Sequence, residues 1–189
     1  GAAIIVCERD LGLDCQLIVE NTRYVYATLC ANWFGNPADS LTLVGVTGTN
    51  GKTTTTALLG EIMRNHQESV FVVGNIGNPY TTEAMNMNEN SVAVAEVSSF
   101  QLETIHDFRP CVSAILNITP DHLDRHHTME AYIAAKEDIA KNQTSEDTCV
   151  LNYEDEVTRK FGEVVNANVL YFSSKRKLEK GIYLEDGNI

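Results

Sequence analysis

The sequence predicts an α/β fold, a doubly wound and mostly parallel sheet covered by helices. Three observations predict it. From residue 41 onward, short apolar runs alternate with stretches of helical character. The runs, such as Val70-Phe71-Val72-Val73 and Val92-Ala93-Val94-Ala95, are continuous, as strands buried on both faces require. Unusual polar clusters follow these runs, at the strand ends where open parallel sheets bind ligands. Strands are expected at 41–46, 70–73, 92–97, 112–116, 149–151 and 169–172. Helices are expected at 53–65, 79–87, 129–142 and 156–163.

Residues 1–40 read differently. Strands at 1–6 and 16–19 and a helix at 22–34 lead to a turn or linker at Gly35-Asn36-Pro37. This segment is expected to be the tail of an upstream domain plus a linker. Residues 41–189 are the main domain, expected to be incomplete at its C-terminal end. There, 181–184 suits a strand and Glu185-Asp186-Gly187-Asn188 carries a hairpin-turn signal.

A chain of 189 residues, 43% hydrophobic and 21% charged, suits one substantial globular domain. No segment approaches the ~20 apolar residues of a membrane span. No basic region precedes Ile4-Ile5-Val6, so no signal peptide is expected. The net charge of -12 argues against nucleic-acid polymers and anionic membranes as partners. It leaves nucleotides open, since a phosphate site needs only local donors. Cys7, Cys15, Cys30, Cys111 and Cys149 form no C-x-x-C pair and read as reduced thiols of a cytoplasmic protein.

The apolar run Leu41-Thr42-Leu43-Val44-Gly45-Val46 enters Thr47-Gly48-Thr49-Asn50-Gly51-Lys52-Thr53-Thr54 and then a helix. Glycines let successive N–H groups point at phosphate oxygens, and the helix N-terminus adds its positive dipole end. Lys52 would reach the β- and γ-phosphates, and the Thr53 hydroxyl would hold Mg²⁺. The full pattern asks for Gly where Val46 stands, so the motif here is G-x-x-G-K-T from Gly48. Such a loop indicates a nucleoside triphosphate without naming the reaction.

Other polar residues fall at the ends of later strands. Asn75 follows the second core strand, Glu96 ends the third and Ser98 follows it, and Asn117, Thr119, Asp121, His122 and Asp124 follow the fourth. A carboxylate in Val94-Ala95-Glu96-Val97 is costly unless it is ion-paired or binds metal, and Mg²⁺ is the better reading. His122 is favoured for a metal or phosphate role over His126 and His127, which read as solvated neighbours. Lys136 stands on the apolar stripe of helix 129–142, with Met129, Tyr132, Ile133 and Ala140. Periodicity alone favours a lysine that snorkels to water, the alternative being a depressed pKa and a chemical role. No Ser–His–Asp or Cys–His nucleophile pattern is legible.

On these residues the sequence resembles the Mur ligase family. The loop Thr47–Thr54 resembles the family's phosphate loop, including its missing first Gly. Gly74-Asn75-Ile76-Gly77 and Glu96-Val97-Ser98-Ser99-Phe100-Gln101-Leu102-Glu103 look like the D-glutamate-adding member, in which Phe100 and Gln101 stand where the member acting next has His and Ala. Leu116-Asn117-Ile118-Thr119-Pro120-Asp121-His122 and Tyr132-Ile133-Ala134-Ala135-Lys136 match the family as well. Residues 1–40 look more like the member acting next, which adds a diamino acid.

The resemblance implies a P-loop-containing central domain of an ATP-dependent ligase of peptidoglycan precursor synthesis. ATP would phosphorylate the carboxylate of UDP-N-acetylmuramoyl-L-alanine, and the D-glutamate amine would attack the acyl phosphate. Gly48, Thr49, Asn50, Gly51, Lys52, Thr53, Thr54 and Asn117 would bind the nucleotide, and Asn75 and Ser98 the substrate. Thr53, Glu96, His122 and Lys136 would serve the metal, Lys136 as a carbamate formed with CO₂, which reverses the snorkelling expectation. Lys52, His122 and Lys136 are the candidate catalytic residues. The protein is expected to be a cytoplasmic monomer, with the isolated chain inactive as a ligase. The rival readings are the diamino-acid-adding ligase and a non-catalytic nucleotide-binding fragment.

Overall fold

The computed structural model describes residues 3–33, 35 and 40–189. The chain divides into two compact units, Gly1–Asp39 and Ser40–Ile189.

In the first unit, β1 (Ile5–Cys7) pairs in parallel with β2 (Gln16–Ile18), and α1 spans Thr22–Trp33. Glu8 holds the start of α1, its carboxylate accepting from the Thr22 N–H and hydroxyl at 2.8 and 2.7 Å. No α1 residue is buried. Much of the expected linker, Asn36 and Pro37 included, and the start of the first strand at Gly1 and Ala2 lie outside the described residues.

The second unit is a seven-stranded sheet in the order β4-β5-β3-β6-β7-β8-β9, every pair parallel. The strands are β3 (Thr42–Thr47), β4 (Val70–Gly74), β5 (Val92–Glu96), β6 (Val112–Ile115), β7 (Thr148–Asn152), β8 (Asn168–Ser173) and β9 (Ile182–Tyr183). From central β3 the chain runs outward to edge strand β4, returns through β5, and crosses β3 to β6 and onward. Right-handed connections running in opposite directions put helices on opposite faces, which makes the sheet doubly wound. β3 and β5 are buried along nearly their whole lengths, as continuous apolar runs require.

The four expected helices appear in order, the first shifted by one residue and the others shorter. α2 spans Lys52–Arg64, α3 Tyr80–Glu83, α4 Ser99–Leu102, α5 Leu123–His126, α6 Met129–Glu137 and α7 Glu156–Phe161. The two short helices α4 and α5 were not expected. The segments expected as single helices at 79–87 and 129–142 both tighten into 3₁₀ turns, at Ala84–Asn86 and Asp138–Ala140. After the second turn, Asn142 donates to the His106 and Phe108 carbonyls and Gln143 to those of Pro110 and Thr148, which pulls the chain out of the helix. At 185–188 both Asp186 and Gly187 have positive φ and the Glu185 and Asn188 peptides exchange hydrogen bonds, the I′ geometry that the turn signal predicted.

Gly74 is where two strand ends nearly touch. Its φ is 104°, and a Cβ there would lie 2.2 Å from the Glu96 carbonyl oxygen. Gly187 also has positive φ but has open space around it. Gly74→Ala is therefore expected to cost about 3–5 kcal/mol and Gly187→Ala about 1 kcal/mol. Urea denaturation of the two variants checks this, and equal costs would contradict the close approach.

Candidate phosphate and metal site

β3 delivers the loop. Gly48 has φ 149°, and a Cβ there would come within 3.1 Å of Leu116 and 3.3 Å of the Asn117 backbone. Gly51, at φ 83°, precedes α2 and supplies no side-chain cap. The first turn of α2 closes with Thr55 N–H donating to the Gly51 carbonyl. Among the described residues the N–H groups of Gly51, Lys52, Thr53 and Thr54 have no acceptor. A helix start with no cap and four free donors fits an anion. Thr54 also lines a shallow groove with Leu58, Glu61 and Val72.

The loop is gripped from behind. Asn117, at the exit of β6, accepts from the Asn50 N–H at 2.8 Å and donates to the Asn50 carbonyl at 3.0 Å. Its own carbonyl accepts from Thr49 N–H at 2.9 Å. The Thr49 hydroxyl meets the Tyr132 hydroxyl at 3.0 Å and accepts from Thr119 N–H at 3.0 Å. Lys136, only 2% exposed, donates to the Gly48 carbonyl at 2.8 Å, its ammonium 4.8 Å from the Tyr132 ring centre. Lys52 bends back onto the same carbonyl at 2.9 Å and onto that of Thr49 at 3.0 Å.

Lys136 therefore does not snorkel. The apolar stripe of α6 faces inward, and the stem of Lys136 follows Tyr132 to the back of the loop. Burial, and after it the positive charge of Lys52, lower its pKa from 10.5 to about 8, with Asp121 partly opposing the shift.

Glu96 ends β5 at 1% exposure. One carboxylate oxygen accepts from the Thr53 hydroxyl and the other from the Asn75 amide, both at 2.9 Å. Asn75 N–H also donates to the Glu96 carbonyl at 2.8 Å. Among the described residues no basic side chain pairs with Glu96, so the ion-pair reading finds no support. A buried carboxylate held by two neutral donors, beside a threonine hydroxyl at a phosphate-type loop, is a hard-oxygen set that fits Mg²⁺.

The other expected residues are placed less directly. Ser98 caps α4 in a reciprocal box, exchanging hydrogen bonds with Gln101. His122 has φ 51° and a side chain 51% exposed, with Nε2 3.5 Å from Asp121 and the ring 4.9 Å from Phe100. Among the described residues no hydrogen bond joins His122 to Glu96 or Thr53, and no three His, Cys, Asp or Glu side chains cluster as a ready metal site.

His126 is not the solvated neighbour expected from sequence. It is buried, with Nδ1 3.0 Å from Glu103 and Nε2 3.0 Å from the Ser99 hydroxyl. Ser99, His126 and Glu103 thus stand in the order of a nucleophile, base and carboxylate, an arrangement the sequence did not reveal. Ser99 is only 3% exposed, so no substrate carbonyl can reach it and the relay is structural.

The profile of the Mur ligase middle domain matches residues 46–187. The chain belongs to this family. It is 63% identical over 147 residues to the UDP-N-acetylmuramoylalanine–D-glutamate ligase of Lachnoclostridium phytofermentans, a match covering 78% of this chain and 32% of that protein. The ligase of the same name from Thermoanaerobacter sp. is 50% identical over all 189 residues, which are 42% of its length. Residues 1–40, with their expected likeness to the diamino-acid-adding member, fall inside that match. The chain thus spans about a third to two-fifths of these relatives. MurF ligase from Thermotoga maritima in complex with ADP superposes with a TM-score of 0.69 at 28% identity, over 93% of this chain and 42% of that one. A UDP-N-acetylmuramoyl-L-alanyl-D-glutamate–2,6-diaminopimelate ligase shares the fold at a TM-score of 0.71 and 24% identity, over 98% of this chain and 43% of its own.

The burial of Lys136 has a pH signature. Its folded pKa lies below its unfolded one, so between about pH 8 and 10.5 the unfolded chain binds more protons and stability rises with pH. Below that window the cost of burying the charge is roughly 3 kcal/mol and constant. The stability of the wild type relative to Lys136→Met is expected to rise through the window and to be flat below it. Urea denaturation across pH, in CO₂-free buffer without Mg²⁺, measures this, and a pH-independent difference would contradict it.

Proposed function

We propose that this chain is the nucleotide- and magnesium-binding core of an ATP-dependent amide ligase that adds D-glutamate to UDP-N-acetylmuramoyl-L-alanine. The observation carrying this reading is the meeting of Glu96 and Thr53 beside the uncapped start of α2. The substrate assignment leans on the names of the relatives and on Phe100-Gln101. The free N–H groups of residues 51–54 would cradle the β- and γ-phosphates. Lys52 would exchange the Gly48 and Thr49 carbonyls for phosphate oxygens and balance charge as the γ-phosphoryl passes to the substrate carboxylate. Asn117 and Tyr132 would keep the loop from closing on itself.

Thr53 and Glu96 would hold Mg²⁺, which when bound neutralises phosphate charge, and His122 and Asn75 would flank it. A lysine with a pKa near 8 keeps a useful fraction of neutral amine at neutral pH. Its nitrogen could attack CO₂ and release a proton, and the carbamate so formed would help hold a second Mg²⁺. Ser98 would contribute to the substrate side through its place at the exit of β5. None of the helices described is long and apolar enough to cross a membrane, and we read the protein as a cytoplasmic monomer.

Calorimetric titration of the chain with ATP and Mg²⁺ tests the reading. Lys52→Ala is expected to weaken binding by at least about tenfold, with a melting temperature within about 2 °C of wild type. A ¹³C NMR spectrum of the same mixture in ¹³C-bicarbonate should show a carbamate resonance that Lys136→Met lacks. Full affinity in Lys52→Ala would overturn the phosphate-site assignment, and a resonance persisting in Lys136→Met would overturn the carbamate.

A further inference from the structure

His126 is a buried ionisable group that the nucleotide site does not use directly. Four neighbours fix it. Its two nitrogens meet Ser99 and Glu103, each at 3.0 Å, so the ring cannot turn without breaking a bond. Its ring stacks on Phe100, with centroids 5.4 Å apart and planes inclined by 18°, and tilts against Tyr132 at 5.2 Å. The second carboxylate oxygen of Glu103 is held by Arg125 at 2.9 Å, and the Arg125 guanidinium lies 4.2 Å from the centre of the Phe100 ring.

These contacts join two parts of the site. Ser99 lies three residues beyond Glu96, with Val97 tied to the Val46 carbonyl between them. Tyr132 carries the hydroxyl that meets Thr49 in the loop. A purely apolar side chain of the same volume would pack as well but would not fix a direction, whereas a fully satisfied polar network does. We infer that His126 is a positioning residue for the magnesium side of the site, locking the exit of β5, and with it the Glu96 carboxylate, against helix α6 and the phosphate loop. The inference rests on the reading of Glu96 and Thr53 as the magnesium-holding pair. The contacts of His126 are with Ser99, Glu103, Phe100 and Tyr132, so it would act through them.

Two variants separate this role from packing. His126→Phe keeps the ring and its stacking but removes both nitrogen contacts. Ser99→Ala removes one hydroxyl and leaves the core volume nearly unchanged. ADP binding to the 189-residue chain is measured across a Mg²⁺ series and in EDTA. The Mg²⁺ concentration for half-maximal binding is expected to rise about tenfold in His126→Phe and by a smaller factor in Ser99→Ala, while affinity in EDTA stays within about twofold of wild type. His126→Asn, whose amide can reach Glu103 from the Nδ1 position, should recover part of the loss. An unchanged Mg²⁺ requirement in either folded variant overturns the inference, as does an affinity loss of equal size with and without Mg²⁺. Should His126→Phe not fold, Ser99→Ala decides alone. Wild-type protein that binds ADP without regard to Mg²⁺ would instead overturn the magnesium reading of Glu96 and Thr53.

Discussion

The buried carboxylate of Glu96 sets the terms for the rest of the site. Removing such a group from water costs several kcal/mol. The hydrogen bonds from Thr53 and Asn75 return about 1.5–3 kcal/mol each, which leaves it near balance and open to a cation. To make those bonds, three chain segments must meet at the ends of β3, β4 and β5. Gly74 is needed because the backbone after β4 passes too close to β5 for any Cβ. Thr53 is needed at the second position of α2, and the loop before it must be held in a shape that no helix cap enforces.

That shape comes from the far side of the loop. Asn117 binds the Asn50 peptide through both ends of its amide, and Tyr132 and Lys136 reach Thr49 and Gly48 from helix α6. Asp155 then fixes the exit of β6 from below, capping α7 with one oxygen and accepting from Ile118 N–H with the other at 2.7 Å. The loop is thus held in one shape in the free protein, and in the proposed reading nucleotide binding would need only to release Lys52 from the two carbonyls it now occupies. Placing two lysines on one carbonyl is unfavourable by itself. The repulsion is part of what lowers the Lys136 pKa to about 8.

Much of this was legible from sequence. The strands announced themselves as apolar runs, the loop through Gly48, Gly51 and Lys52, and Glu96 through the cost of a carboxylate inside a buried strand. Short elements were not legible. Helices α4 and α5 are four residues each, too short for periodicity, although Ser98 and Gln101 at S-x-x-Q spacing could have announced α4. His126 looked solvated because Arg125 and His127 flank it, and its burial is set by Ser99 and Glu103, more than twenty residues away. Lys136 was correctly placed on the inward stripe of its helix. Its partner Gly48 is 88 residues distant, so periodicity could not tell a snorkelling lysine from one that grips the loop.

The most direct measurement is a crystal structure of the chain grown with Mg²⁺ and a non-hydrolysable ATP analogue. The account predicts the β-phosphate within about 3.2 Å of the N–H groups at the start of α2, with Lys52 moved from the Gly48 and Thr49 carbonyls onto phosphate oxygen. It also predicts Mg²⁺ bound by Thr53 and either bound by Glu96 directly, at about 2.1 Å, or bridged to it by one water. A nucleotide bound away from this loop, or a metal with no contact to Thr53 or Glu96, would contradict it.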